Sequence, residues 1–160
     1  MTLPTEYPSG FNGTANDFNK AKVDRSGALR SYPFLVTTST AILTSGTVIG
    51  LVPVRKGARL HIPGCAIQSD DLDTGNSVTA SIGIVYNDTV NNTSVPTKYA
   101  SALSTLIQSA AGAPVTLIST DAANEYIATG DGWVAITTAA ASTTTQGTIW
   151  GALSIAYDQA

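Results

Sequence analysis

The sequence predicts an all-β chain: a single-domain β-sandwich or jelly-roll-like body with one short helix and an extended N-terminal arm. Three observations carry this. From Val78 to Asn87 the chain alternates, with Val78, Ala80, Ile82, Ile84 and Tyr86 on one face and Val85 as the lone apolar exception on the other. Period two with β-branched residues on the apolar face marks a half-buried strand. Only 12% of the 160 residues are charged, against roughly 25% in an ordinary soluble domain. Ser, Thr, Ala, Gly and Asn take their place, a composition weighted toward strands. Turn-forming residues also recur between short apolar runs, as a sandwich requires.

The elements follow in order. Residues 1–30 show no period, and Pro4, Pro8, Gly10 and Gly13 break regular structure. Tyr7, Phe11 and Phe18 are nevertheless large apolar groups, so the segment reads as an arm that orders on a neighbour. Residues 31–160 form the body. Residues 31–40 suggest a strand that Pro33 confines to an edge. Residues 47–54, TVIGLVPV, are apolar on both faces and predict a buried strand. Residues 59–69 predict a strand with a bulge at Pro63-Gly64. An acidic turn, Asp70-Asp71-Leu72-Asp73-Thr74-Gly75, then leads into the alternating strand.

Residues 88–96 are a polar loop. Tyr99, Leu103, Leu106, Ile107 and Ala110 fall at helical spacing, which predicts a helix over 98–110 capped by Thr97. Residues 115–119 suggest a short strand. Thr129-Gly130-Asp131-Gly132 predicts a hairpin joining strands at 125–128 and 133–139. The run AAASTTT, 139–145, is a low-complexity loop. Residues 148–158 close the chain as a strand with Ile149, Gly151, Leu153, Ile155 and Tyr157 on one face.

Charge is unevenly placed. Residues 1–60 hold seven basic and three acidic side chains; residues 61–160 hold Lys98 alone against eight acids. A positive front and negative body suggest that the front docks on an acidic surface. The basic residues of 20–30 are interrupted by Asp24 and have few aromatic neighbours, so no nucleic-acid groove is expected. No apolar run is long enough to span a membrane, and residues 1–20 lack the apolar core of a secretory signal.

Catalytic signals are thin, and no enzymatic activity is expected. His61 is the only histidine, so any nucleophile–base pair would have to use it. Cys65 lies four residues away across Pro63-Gly64, and two residues are too few for a closed zinc site. Cys65 reads instead as a partly buried structural cysteine. Asp71 and Asp73 begin like a calcium loop but lack the later ligands. Asp70, Asp71 and Asp73 read as turn residues accepting backbone N–H bonds. No metal or cofactor is expected.

The stretches LVPVRKGARL, DDLDTGNSVTASIG and QGTIWGALSIAY, in this order behind a polar arm, resemble small virion structural proteins of tailed bacteriophages. Val52 to Leu60 matches a PKGARV-like turn, Asp70 to Gly83 a DDLGTG-like hairpin, and Gly147 to Tyr157 a closing TGTI-like strand. The likeness covers roughly residues 30–158. Pro63-Gly64 and the longer loop at 88–96 depart from it.

The resemblance implies a head decoration, or cement, protein on the outer surface of the phage head. Its partners would be the major capsid protein and further copies of itself, as a trimer first and a dimer second. The residues expected to face the capsid are Tyr7, Phe11, Phe18, Lys20, Lys22, Arg25, Arg30, Arg55, Lys56 and Arg59. The alternative is a tail- or fibre-associated virion module that binds host-surface glycans on Trp133 or Trp150.

Overall fold

The computed structural model describes residues 29–38, 43–74, 77–103, 117 and 126–157. These residues form eight strands: β1 (Arg30–Thr37), β2 (Val48–Val54), β3 (Ala58–Leu60), β4 (Ala66–Ser69), β5 (Thr79–Tyr86), β6 (Val95–Leu103), β7 (Gly132–Ala139) and β8 (Thr148–Tyr157). They make two antiparallel sheets. One has the order β2-β7-β5-β6; in the other, β8 is central, with β1 on one side and both β3 and β4 on the other. The all-β sandwich anticipated from the sequence is the fold.

Alternation explains how the sheets meet. Ala80, Ile82, Ile84 and Tyr86 of β5 join Val134 and Ile136 of β7 in the main core. They face Phe34 and Val36 of β1, Ile67 of β4 and Ile149, Leu153 and Ile155 of β8. Val85, the exception in the alternation, joins Val48, Trp133 and Ala135 in a second buried cluster on the opposite face of its sheet. This second cluster accounts for part of the two-faced apolarity of β2, whose seven residues are all buried. A register shift between Gly50 and Val52 accounts for the rest, because the extra residue lets Leu51 and Val52 both enter the main core.

Four local expectations require correction. The stretch 59–69 is not one bulged strand. It is β3, a 3-10 turn at Ile62–Gly64, and β4, laid end to end along the same edge of β8. Pro63 sits early in that turn, where its missing N–H costs nothing.

The helix expected over 98–110 is strand up to Leu103; residues 104–110 lie outside the described residues. Within 98–103 the strand pairs irregularly with β5, so it lacks the strict alternation that marks a strand. Ala80, Ile82 and Ile84, two apart on β5, pair with Leu103, Ala100 and Val95, three and five apart on β6.

The strand expected at 125–128 is reduced to a bridge between Ile127 and Arg59 of β3. The hairpin expected at Thr129–Gly132 is therefore absent: β7 pairs with β2 and β5 instead. Asp131 explains the difference. Its carboxylate accepts the Lys56 backbone N–H at 3.1 Å, and its carbonyl accepts that of Asn87 at 3.0 Å. The turn thus carries the chain between sheets. The strand expected at 115–119 lies outside the described residues except for Leu117, which is buried.

The loop after β7 is held by its threonines. Thr143 Oγ1 accepts the Leu43 N–H at 2.7 Å, and Thr145 Oγ1 donates to the Asp71 carbonyl at 2.8 Å. The Thr144 N–H reaches the Leu72 carbonyl at 3.0 Å. Low complexity here provides short hydroxyl side chains that stitch this loop to the acidic turn.

Candidate functional site

The strand registers gather four basic residues, with Asp88 and Asp131, at one end of the sandwich and three acidic residues at the other. Arg30 of β1 and Leu60 of β3 both pair with Ile155, from opposite sides of β8. Arg59 pairs with Ala156 and Ala58 with Tyr157. The β2–β3 turn therefore brings Arg55 and Lys56 to the same end of the sandwich as Arg30 and Arg59. Arg30 and Lys56 are exposed; Arg55 and Arg59 are half-buried. Asp131 lies among them, bound to the Lys56 backbone. The other expected contact residues, Tyr7, Phe11, Phe18, Lys20, Lys22 and Arg25, lie outside the described residues. The described chain begins at Leu29, so residues 1–28 join the body at this basic pole.

The acidic turn occupies the opposite pole. Asp70 exchanges two bonds with Thr148 at the start of β8: its N–H donates to the Thr148 carbonyl at 2.9 Å, and its carboxylate accepts the Thr148 N–H at 2.8 Å. The ten residues of β8 separate the poles by on the order of 30 Å. Each acidic side chain takes a turn role. Asp71 accepts the Asp73 N–H at 3.2 Å. Asp73 is buried and accepts the Ser77 and Val78 N–H groups at 2.8 Å each. Among the described residues no cluster of three or more His, Cys, Asp or Glu residues could hold a metal ion.

His61 and Cys65 do not form a nucleophile–base pair. The thiol points at backbone, 3.4 Å from the His61 carbonyl and 3.9 Å from that of Ser154. Burial pushes its pKa up, whereas a reactive cysteine has it lowered. No helix of the described residues is long and apolar enough to cross a membrane.

Two features escaped the sequence reading. Val90, at the tip of the β5–β6 loop, is 90% exposed. Asp88 stiffens this loop by accepting the N–H groups of Val90 and Asn91 at 3.0 and 3.2 Å. The second feature is a cross-strand row on the outer face of the β8 sheet. Leu35, Trp150 and Gln68 are in register on β1, β8 and β4. The Trp150 indole N–H donates to Gln68 Oε1 at 2.7 Å. The alternation of β8 carried a signal for this, since Trp150 falls between Ile149 and Gly151 on the core face.

A β-sandwich with an unlike-charged pair of poles and no assembled catalytic group among its described residues is the class of molecule that geometry defines. Two solved structures share the fold. A chain of the "Capsid of Ralstonia phage GP4" superposes with a TM-score of 0.65 at 22% identity, covering 86% of this chain and 90% of the other. A chain of the "Cyanophage Pam1 capsid asymmetric unit" gives 0.56 at 22% identity, covering 82% and 86%. No family model and no curated protein matches the sequence.

Proposed function

We propose that this protein is a structural component of a tailed-phage virion, and more specifically a decoration protein that binds the outside of the capsid lattice. The shared fold with chains of two phage capsids supports the virion role. The observation that carries the finer reading is the basic pole. Residues far apart in sequence, Arg30, Arg55, Lys56 and Arg59, meet where residues 1–28 leave the body. That arm adds Lys20, Lys22 and Arg25 with Tyr7, Phe11 and Phe18.

The mechanism is mechanical. The basic pole seats the body on one capsid subunit, and the arm reaches a neighbour. Fully extended, 28 residues span on the order of 90 Å. Two linked contacts exceed either one in affinity without new interactions, and a bridge between subunits raises the free energy needed to separate them. No step requires a cofactor, nucleic acid or membrane. Of the two tryptophans that a glycan-binding module would use, Trp133 is 1% exposed and sits in the second buried cluster. Trp150 is half-buried, and its indole N–H is bonded to Gln68.

Co-sedimentation with purified particles lacking this protein tests the reading. Full-length chain is expected to bind, and chain lacking residues 1–28 to fold but bind at least about tenfold more weakly, as loss of a linked contact predicts. Binding at unchanged affinity after truncation removes the arm from the mechanism, and absence of binding by the full chain removes the decoration role.

A further inference from the structure

The outer face of the β8 sheet is shaped to receive itself. Leu35, Trp150 and Gln68 form a tall row across three strands. The next row toward the basic pole is Pro33, Ala152 and Ala66. Beyond it Ser31 pairs with Ser154, which is buried beneath the Ile62–Gly64 turn and donates its hydroxyl to the Gly64 carbonyl at 2.8 Å. Alternate residues along a strand are ~6.8 Å apart. A ridge about one row wide therefore borders a shallow trough about one row wide at Ala152, which the Gly64 turn bounds over Ser154. Arg59, bridged to Ile127, closes the far side. Leu35 remains 52% and Ile127 41% exposed.

We propose that a second copy of this chain docks on this face as an isologous dimer. The two-fold axis lies in the interface and runs across the strands, between the Trp150 row and the Ala152 row. That operation sets the ridge of each copy into the trough of the other and keeps β1 over β1 and β8 over β8. It also settles charge. Arg59 is the only charged residue on the outward side of the paired strands. It lies five residues along β8 from the axis, at Ala156. The same distance on the other side is the level of Gln146, beside Asp70 and Asp71, on the same edge of β8. The axis thus carries each Arg59 over the acidic turn of its partner, twice per dimer. A like-charged or randomly charged partner would not match both ends of the face.

Size sets the strength. Eight paired residues and three strands give a patch of about 400 Å², half of the roughly 800 Å² per partner in a standard interface. The dimer is therefore weak when free, and gains from the high local concentration on a lattice. A face that mates with itself gives a two-fold, whereas a closed trimer requires two different patches.

Sedimentation equilibrium of the full-length chain tests this without any particle, so its result is separate from the decoration reading. From about 10 µM to about 1 mM the wild type is expected to show a monomer–dimer equilibrium that weakens with salt. Leu35→Glu on the ridge and Ala66→Arg in the trough, both at exposed positions, should each raise the dissociation constant at least about tenfold. Val90→Glu, on a distant loop, should leave it unchanged. Circular dichroism checks that each variant is folded, and either ridge or trough variant suffices. A monomer across the whole range, a trimer, or a dimer indifferent to the folded ridge and trough variants overturns the proposal.

Discussion

Asp73 Oδ2 accepts the backbone N–H of Val78 at 2.8 Å at the threshold of β5. The same oxygen accepts the Ser77 N–H at 2.8 Å, and the side chain is fully buried. The strand on which the core alternates is therefore started by a buried carboxylate that binds two consecutive backbone N–H groups. Removing it takes this charged acceptor from both donors. Asp73→Ala is expected to lower unfolding free energy by about 2 to 4 kcal/mol, the desolvation cost of groups that lose a charged partner. Asp73→Asn keeps one acceptor oxygen and should lose less. Urea denaturation of both variants checks the order.

Tyrosines give the fold an alkaline limit. Burial pushes Tyr157 up to about 12, and burial also raises Tyr99 and Tyr126. Both states hold neutral tyrosine below the ordinary value near 10. Above it the unfolded chain loses protons that the folded chain keeps, so stability falls as pH rises. The window runs from pH ~10 to pH ~12, and a two-unit shift at Tyr157 amounts to about 2 to 3 kcal/mol. Thermal melts from pH 9 to 12 should show a midpoint that drops above about pH 10. Tyr157→Phe should blunt the drop, and tyrosinate absorbance should lag behind free tyrosine in the native protein. A midpoint flat across that range would contradict the assignment.

Much of this architecture is legible in the residues themselves, because period two survives wherever a strand pairs regularly. Val85 breaks the β5 pattern, and it marks a second cluster on the far face of the sheet. The β8 face of Ile149, Leu153, Ile155 and Tyr157 is likewise the buried one. Reading fails where pairing is irregular. The shifts along β5–β6 space the partners on β6 by three and five residues, so residues 98–103 lack the alternation by which a strand is read. Thr129–Gly132 has hairpin chemistry, but its bonds go to Lys56 and Asn87 on other elements, which local sequence cannot reveal. The basic pole is half legible: Arg55, Lys56 and Arg59 are adjacent in sequence, whereas Arg30 joins them only through pairing with β8. The alternation of β8 places Trp150 on the outer face, but its pairing with Leu35 and Gln68 is a property of register that the chain does not show.

Gly151 marks where β4 crosses closest to β8. Its φ is +155°, and an added Cβ would lie 2.0 Å from the Ala66 carbonyl oxygen. The clash is with backbone that pairs across the sheet, so it cannot be relieved by a rotamer change. Gly151→Ala should cost about 3 kcal/mol or more, above the usual range for overpacking. Gly46→Ala has open space around the new methyl and is expected to cost only about 1 kcal/mol through its positive φ. Comparing the two by thermal denaturation separates steric collision from backbone strain.

Cys65 should be a slow thiol. Burial raises its pKa, and its hydrogen bonds are to the His61 and Ser154 carbonyls rather than the imidazole. Labelling by a disulfide reagent at pH 8 is expected on the order of tenfold slower in the native than in the urea-unfolded protein, following the smaller thiolate fraction and access. His61→Ala should leave the native rate unchanged, because the contact uses main chain. A large change in that variant would restore the imidazole as a partner.

The basic pole makes a prediction that depends on charge rather than fold. Lys56 is exposed, and its tie to Asp131 runs through its backbone N–H, which substitution preserves. Lys56→Glu should therefore leave the melting temperature within a degree or so, as an exposed substitution does. If the pole seats on an acidic capsid surface, binding to undecorated particles should weaken about threefold to tenfold at low salt. The difference between wild type and variant should shrink as ionic strength rises and exposed charges are screened. Ser45→Glu, on an exposed turn at the opposite pole, provides the contrast: it should leave particle binding unchanged. Equal losses from both poles, or a Lys56→Glu effect indifferent to salt, would place the capsid contact elsewhere on the sandwich.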